Sequence, residues 1–262
     1  MKSFLAYMGG KSLLAGKIIP LIPEHYCYCE VFSGAAWVLF KKEESRVEII
    51  NDINIDLVTL YRVIKHHLEE FIRYFKWLLM AREEFERFKK EKPDTLTDIQ
   101  RAVRFYYLLK LGYAARIDNP SFSVATTSRP RLNLLRIEEE LSAVHLRLSQ
   151  VYIENKDFRK IIPQFDKPDT FFYIDPPYFD CEDYYGKGIF RQEDFAVLAD
   201  LLRSVAGRFI LSINDVKEIR ELFKDFNLKT VDTIYSAGGA HRKKHVQELL
   251  IMNYETSARM AI

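Results

Sequence analysis

The chain is poor in cysteine, with Cys27, Cys29 and Cys181 in 262 residues. An odd number, with one isolated Cys-x-Cys and no Cys/His pair at zinc spacing, excludes a disulfide framework and points to reduced thiols. No apolar run is long enough to span a bilayer. The first eight residues meet Gly9-Gly10-Lys11 before a signal-peptide core can form, so neither export nor membrane insertion is expected and a cytoplasmic protein is. Charge of one sign is also scarce: 39 Lys and Arg face 37 Asp and Glu, a formal +2. The whole molecule has no strong basic field, so any nucleic-acid contact must come from local basic patches. Internal repeats and low-complexity segments are absent.

The length and the 48% hydrophobic content suit one large α/β domain, or one domain carrying an insertion. After Gly9-Gly10-Lys11, the apolar spacing predicts a short helix over 12–22 that ends at Pro23. A strand is expected over 26–32, a small-residue turn at Ser33-Gly34-Ala35-Ala36, a helix from Trp37, and a second strand over 46–51 ending at Asp52. Strand, turn, helix, strand, acid is the first half of a nucleotide-binding unit. Residues 56–111 read as helical throughout, and the charged run 82–92 as a solvated face. Residues 113–133 read as a loop or hairpin. Further on, helices are expected at 137–148, from Asp157-Phe158, at 194–206 and at 216–223. Strands are expected at 151–154, ending at Asp175, at 209–213, at 229–234 and at 246–252. Such alternation argues a mainly parallel sheet whose last pair can be antiparallel.

The most informative segment is Asp175-Pro176-Pro177-Tyr178, at the end of the apolar run Phe171-Phe172-Tyr173-Ile174. Each proline fixes its own φ, and the first biases Asp175 toward extended backbone, so the shape is set before a ligand arrives. Prolines offer carbonyl acceptors and no donors, and Asp175 adds a carboxylate. An exocyclic amine on a flat ring is the matching guest, with Tyr178 as its lid. A plain Pro-Pro turn closing a strand is the competing reading.

Gly9-Gly10-Lys11-Ser12 invites comparison with a phosphate-binding loop, but Leu5 stands where that loop needs a glycine. Lys11 is better read as a counter-charge for a carboxylate. Gly34 lets the backbone approach a ligand closely. Asp52, about 20 residues on, can accept hydrogen bonds from ribose hydroxyls, or it can cap the helix that follows. No second phosphate cradle is present, which suggests a nucleoside-type ligand without a pyrophosphate.

In motif order and content, these residues resemble the Dam-type (D12 class) DNA adenine-N6 methyltransferases over nearly the full length. Tyr7-Met8-Gly9-Gly10-Lys11 is similar to the family's aromatic-x-Gly-Gly-Lys, and Glu30-Val31-Phe32-Ser33-Gly34-Ala35 to its Glu-Pro-Phe-x-Gly-x-Gly. Asn51-Asp52-Ile53-Asn54 matches its strand-end acid, Asp157-Phe158 its acid-aromatic pair, and Asp175 to Tyr178 its catalytic tetrapeptide. Gly238 to Lys244 matches its late basic loop. The resemblance implies a Rossmann-like S-adenosylmethionine-dependent sheet built from residues 1–56 and 150–262, with a mainly helical target-recognition insert over 57–149. It implies cofactor contacts at Tyr7, Lys11, Gly34, Asp52 and Asp175, with Phe32 and Phe158 flanking the cofactor adenine and Asp157 near its amino group. Two departures stand out. Val31 replaces the usual Pro, and Ala36 replaces the second Gly, where its methyl would narrow the cofactor turn.

The expected activity is methyl transfer to N6 of an adenine flipped out of double-stranded DNA, with Asp175, Pro176, Pro177 and Tyr178 as the catalytic set and no metal. Tyr113, Arg116, Ser123, Arg129 and Arg131 offer base-edge and phosphate donors, and Arg242, Lys243 and Lys244 suit phosphates. A restriction endonuclease is a conceivable partner. Two other readings stay open: methylation of another planar amine, such as cytosine N4 or RNA adenine, and a DNA-binding relative that has lost catalysis.

Overall fold

The computed structural model describes residues 1, 3–5, 7, 11–115, 117–124, 132–134, 136–182, 189–236 and 243–255. Its strands are β1 (Cys27–Glu30), β2 (Val47–Asn51), β3 (Val151–Glu154), β4 (Thr170–Ile174), β5 (Arg208–Asn214), β6 (Asn227–Ser236) and β7 (Lys243–Met252). They form one sheet in the order β3-β2-β1-β4-β5-β7-β6. The first five pair in parallel, while β7 runs antiparallel between β5 and β6. The order reverses at β1 and β4, so the strand ends there open a crevice.

Every residue of β4 is buried, as expected of a parallel strand covered on both faces. Alternation divides it between two cores. Phe172 and Ile174 face α8 (Phe158–Phe165), α9 (Gln192–Ser204) and α10 (Lys217–Leu222), packing with Ile161, Phe195, Leu198 and Ile219. Phe171 and Tyr173 face the other way, into a core shared with Leu57, Leu60 and Val63 of α3 (Ile55–His66) and with Leu141 and Val144 of α7 (Ile137–Leu148). A buried ion cluster fastens α7 to the sheet. Glu48 of β2 lies between Lys42 at 2.5 Å and Arg147 at 2.5 and 2.8 Å. Burial alone would raise the Glu48 carboxyl, but hydrogen bonds from Arg147 and Lys42 outweigh it and hold it below its usual range.

Two sequence expectations are corrected. The helix expected over 12–22 is one turn, α1 (Ala15–Ile18), followed by a 3-10 turn at Ile19–Leu21. Pro20 sits inside that second turn and ends the regular helix before Pro23 is reached. The helical stretch 56–111 is four helices: α3, α4 (Leu68–Phe75), α5 (Arg82–Lys90) and α6 (Asp98–Leu111). His67 leaves helical geometry at φ −137°, Lys92 is extended ahead of Pro93, and a Thr97–Gln100 capping box restarts the chain as α6. The charged run is α5, and it turns Phe85 and Phe88 inward.

These helices carry the second core outward through Phe71, Phe75, Tyr106 and Tyr107, and Phe4 near the N-terminus joins it. Its ring stacks on Tyr106 at 6.2 Å and meets Tyr61 edge-on at 5.8 Å. Between α6 and α7 a short hairpin closes through Tyr113 N–H to Ser121 O at 2.8 Å and Ser123 N–H to Leu111 O at 2.9 Å. Phe122 anchors it against Phe85, with the Arg82 guanidinium 5.0 Å from the Phe122 ring. Among the described residues no helix is long and apolar enough to cross a membrane.

Candidate active site

A cleft of about 890 Å³, its open mouth included, lies at the carboxyl ends of β1, β2 and β4. Tyr7, Lys11, Phe32, Gly34, Asp52, Asp157, Phe158, Asp175 and Pro177 all line it, although they come from five separate stretches of sequence. The fold therefore gathers the sequence-predicted cofactor residues and half of the tetrapeptide into one place.

The turn between β1 and α2 (Trp37–Lys41) is built by positive φ angles. Gly34 has φ +46°, and a Cβ there would stand 3.3 Å from the Tyr7 ring. Ala36 also lies in the left-handed region, at φ 49° and ψ 43°. The methyl expected to narrow the turn is buried, and its first consequence is backbone strain, since a non-glycine residue pays to adopt this conformation. Val31 donates its N–H to Tyr173 O at 3.0 Å. A proline could not make that bond, so the departure at 31 adds a rung between β1 and β4.

Asp52 holds this turn from the neighbouring strand. Its Oδ2 accepts from Gly34 N–H and its Oδ1 from Asn54 N–H, both at 2.9 Å. Burial pushes the Asp52 carboxyl up, and the backbone donors at Asn54, Gly34 and Ile53 pull against it. The cap of α3 is Asn54, whose side chain accepts from Asp56 and Leu57 N–H. One residue earlier, buried Asn51 ties three strand ends together: it donates to Val31 O and Lys156 O at 2.9 Å and accepts from Lys156 N–H at 2.8 Å.

Phe32 and Phe158 stand 5.9 Å apart at 35°. A ring between two parallel rings needs about 7 Å, twice a carbon contact distance, so the pair forms one wall of the cleft. Phe190 completes the wall at 5.9 and 5.7 Å from them. Asp157 caps α8 through Arg159 N–H at 2.8 Å and pairs with the Arg159 guanidinium at 2.9 Å.

At the end of β4, Asp175 is 19% exposed and Lys11 4%. Asp175 Oδ1 takes Lys11 Nζ at 3.1 Å and the Ser212 hydroxyl at 3.0 Å, and Tyr173 adjoins Ser212 at 3.0 Å. Oδ2 has no hydrogen bond to the described residues. Burial drives the Asp175 carboxyl up to about 6, with the charge of Lys11 opposing and that of Glu248 adding to the rise. Glu30, also lining the cleft, is raised to about 8 by burial, against hydrogen bonds from the Tyr28 hydroxyl at 2.9 Å and Leu39 N–H at 3.2 Å. Pro176 and Pro177 are buried. The Tyr178 hydroxyl bonds Lys11 and Glu248, and Lys11 Nζ sits 4.2 Å from the ring centroid.

Glu248, Ser212, Asn51 and Phe190 escaped the sequence reading. An acid inside the apolar strand Leu249-Leu250-Ile251 was the one available signal, for Glu248. Tyr113 is exposed and Ser123 partly so, on the hairpin. Arg116, Arg129, Arg131 and Arg242 lie outside the described residues, and of Lys243 and Lys244 only the backbone, at the start of β7, is described.

A doubly wound, mostly parallel sheet with an antiparallel β7 and a crevice where the strand order reverses defines a Rossmann-like fold. The profile of the D12 class N6 adenine-specific DNA methyltransferases matches residues 7–237. The chain belongs to that family, and it is an adenine-specific DNA methyltransferase. It is similar to the Type II methyltransferase M.MjaIII of Methanocaldococcus jannaschii, at 29% identity over 97% of this chain and 99% of that one. It is 26% identical to the DNA adenine methylase of Escherichia coli K12, over 96% of this chain and 95% of the other. A solved precorrin 8W decarboxylase from Methanobacterium thermoautotrophicum superposes with a TM-score of 0.40 at 10% identity, over 93% of this chain and 90% of that one.

Proposed function

We propose that the cleft binds S-adenosylmethionine and that the Asp175 end of it receives an adenine flipped out of double-stranded DNA. The carrying observation is the division of labour on Asp175: Oδ1 is committed to Lys11 and Ser212, while Oδ2 takes no hydrogen bond from the described residues and can accept from an incoming donor. The residues fit the cofactor. Gly34 forms a cradle that a Cβ would fill against Tyr7, Phe32, Phe158 and Phe190 supply an aromatic wall, and Asp52 and Asp157 supply acceptors beside it. When bound, the cofactor supplies an electrophilic methyl on a sulfonium.

The adenine amine is a weak nucleophile because its lone pair is delocalised into the ring. Asp175 Oδ2 and the Pro176 carbonyl would accept its two N–H bonds and localise that pair. Both bonds strengthen as positive charge develops on nitrogen, so the stabilisation is greatest in the transition state. The buried prolines fix both acceptors in advance. Tyr178 would offer the face opposite Lys11 to the base. Unstacking a base costs a few kcal/mol, and stacking on an aromatic side chain returns roughly 1–3 kcal/mol.

The helical segment 57–149 with its hairpin is assigned to target recognition, through Tyr113, Arg116, Ser123, Arg129 and Arg131. Arg242, Lys243 and Lys244 are assigned to phosphates. The Type II methyltransferase names among the relatives are the support for a restriction setting with a partner endonuclease. The test is to incubate duplex DNA with the protein and S-adenosylmethionine, digest to nucleosides and identify the modified base. N6-methyladenine is expected; N4-methylcytosine, or no modification despite cofactor binding, would overturn the assignment.

A further inference from the structure

We propose that Glu248 is a positioning residue for adenine methylation: from β7 it holds both Lys11 and the Tyr178 hydroxyl, and so keeps Lys11 from neutralising Asp175. The inference rests on the reading of Asp175 as the acceptor for the amine. Glu248 is 1% exposed in a strand whose next four residues, Leu249, Leu250, Ile251 and Met252, are all buried and apolar. A buried carboxylate is costly unless paired, so its presence here calls for a role.

Lys11 supplies the pairing, and it is shared. Its Nζ lies 3.1 Å from Asp175 Oδ1 and 3.3 and 3.4 Å from the two oxygens of Glu248. With Asp175 as its single acidic partner, Lys11 would cancel the charge that has to attract the amine hydrogens. Divided between two carboxylates, it offsets less of the charge on Asp175, which faces the place where positive charge passes to nitrogen.

The same acid also sets the lid. Tyr178 bonds Glu248 through its hydroxyl, and Lys11 covers one face of its ring. Asn214 of β5, the register partner of Glu248, accepts from Phe179 N–H at 3.0 Å and donates to Phe179 O at 3.2 Å. Adjacent positions on β5 and β7 therefore hold two successive residues of the segment that follows the prolines. A base arriving at Asp175 meets a ring already oriented.

The test measures single-turnover methylation of duplex DNA against pH for the wild type, Glu248→Gln and Glu248→Asp, with cofactor affinity by calorimetry. Groups facing Asp175 are Lys11 before α1, Glu30 on β1, Tyr173 on β4, Ser212 on β5 and Glu248 on β7. The negative charge of Glu248 raises Asp175, so Glu248→Gln should shift the acidic limb of the profile to lower pH by up to about one unit. Its rate should fall about tenfold or more while cofactor affinity stays within about threefold. Glu248→Asp keeps the charge but shortens the reach to Lys11 and Tyr178, so it should return the limb toward the wild-type position while lowering the rate; it carries the test alone if the glutamine variant does not fold, a wild-type rate then overturning the proposal. A limb that does not move in Glu248→Gln, with or without a loss of rate, would overturn the proposal, as would Glu248→Asp behaving like the glutamine variant. A wild-type protein that forms no N6-methyladenine is seen first, in the nucleoside assay, and marks failure of the underlying reading instead.

Discussion

At the ends of β1 and β2, Asp52 gives both its oxygens to backbone N–H groups. At the end of β4, Asp175 gives one oxygen to Lys11 and Ser212 and keeps the other in the cleft. Burial raises both carboxyls, and the two sites answer it by different means. Backbone donors are fixed by the fold, so Asp52 defines a shape. A lysine shared with Glu248 is an adjustable charge, so Asp175 defines a potential. Shape suits a ligand that must be held before and after reaction, and potential suits a nitrogen that becomes positive during it.

The largest effect is expected at the second site. Asp175→Asn removes the charge while keeping the outline, and methyl transfer should fall by at least about a hundredfold. Stability should move the other way. The folded carboxyl keeps its proton up to about 6, against 3.8 for the ordinary group. The folded state thus binds more protons between those values, and stability falls as pH rises through that window. The asparagine variant avoids this cost, so it should melt above the wild type at about pH 8 and lose that advantage as pH falls toward about 4. Melting curves at several pH values check this. Equal shifts at every pH would show that the change acts through packing.

A smaller effect, of different character, is expected at the first site. Asp52→Asn replaces one acceptor oxygen by a donor, so Gly34 N–H or Asn54 N–H loses its partner. An unsatisfied donor costs about 1–3 kcal/mol, shared between a lower melting temperature and a cofactor affinity weakened by up to about tenfold. The rate at saturating cofactor should hold. If that rate collapsed as it does for Asp175→Asn, the distinction between shape and potential would fail.

How much of this was legible depends on where each residue finds its partner. The strands and the tetrapeptide could be read because their signals are local: an apolar run, two prolines, a glycine before a helix. Asp52 was visible as a strand-end acid, but its hold on Gly34 was not, since the bond crosses 18 positions. Glu248 was opaque for a stronger reason. Its partner Lys11 lies 237 residues away, and a lone acid in a strand usually marks a solvated face. Phe190 follows a stretch of polar sequence with no regular spacing, and its meeting with Phe158 depends on how the chain ahead of α9 docks. The division of 56–111 into four helices could be read in part, because Pro93 and the Thr97–Gln100 cap stand in the sequence.

The smallest effect compares two neighbours within the shape-defining turn. Gly34 and Ala36 both carry left-handed φ angles, yet the residue types differ. Ala36→Gly relieves about 1–2 kcal/mol of strain. It also frees the unfolded chain, which costs about 0.4–1 kcal/mol, and removes a buried methyl worth about 0.8 kcal/mol. These terms nearly cancel, so the variant should melt within a few degrees of the wild type and bind cofactor about as well. Gly34→Ala has no such compensation, because its methyl meets the Tyr7 ring at 3.3 Å in addition to the φ cost. It should lower both the melting temperature and cofactor affinity, read by calorimetry on the two variants side by side. Similar losses in both would mean that the Ala36 methyl packs as an essential part of the turn, and that the departure from glycine there is an adaptation of this chain.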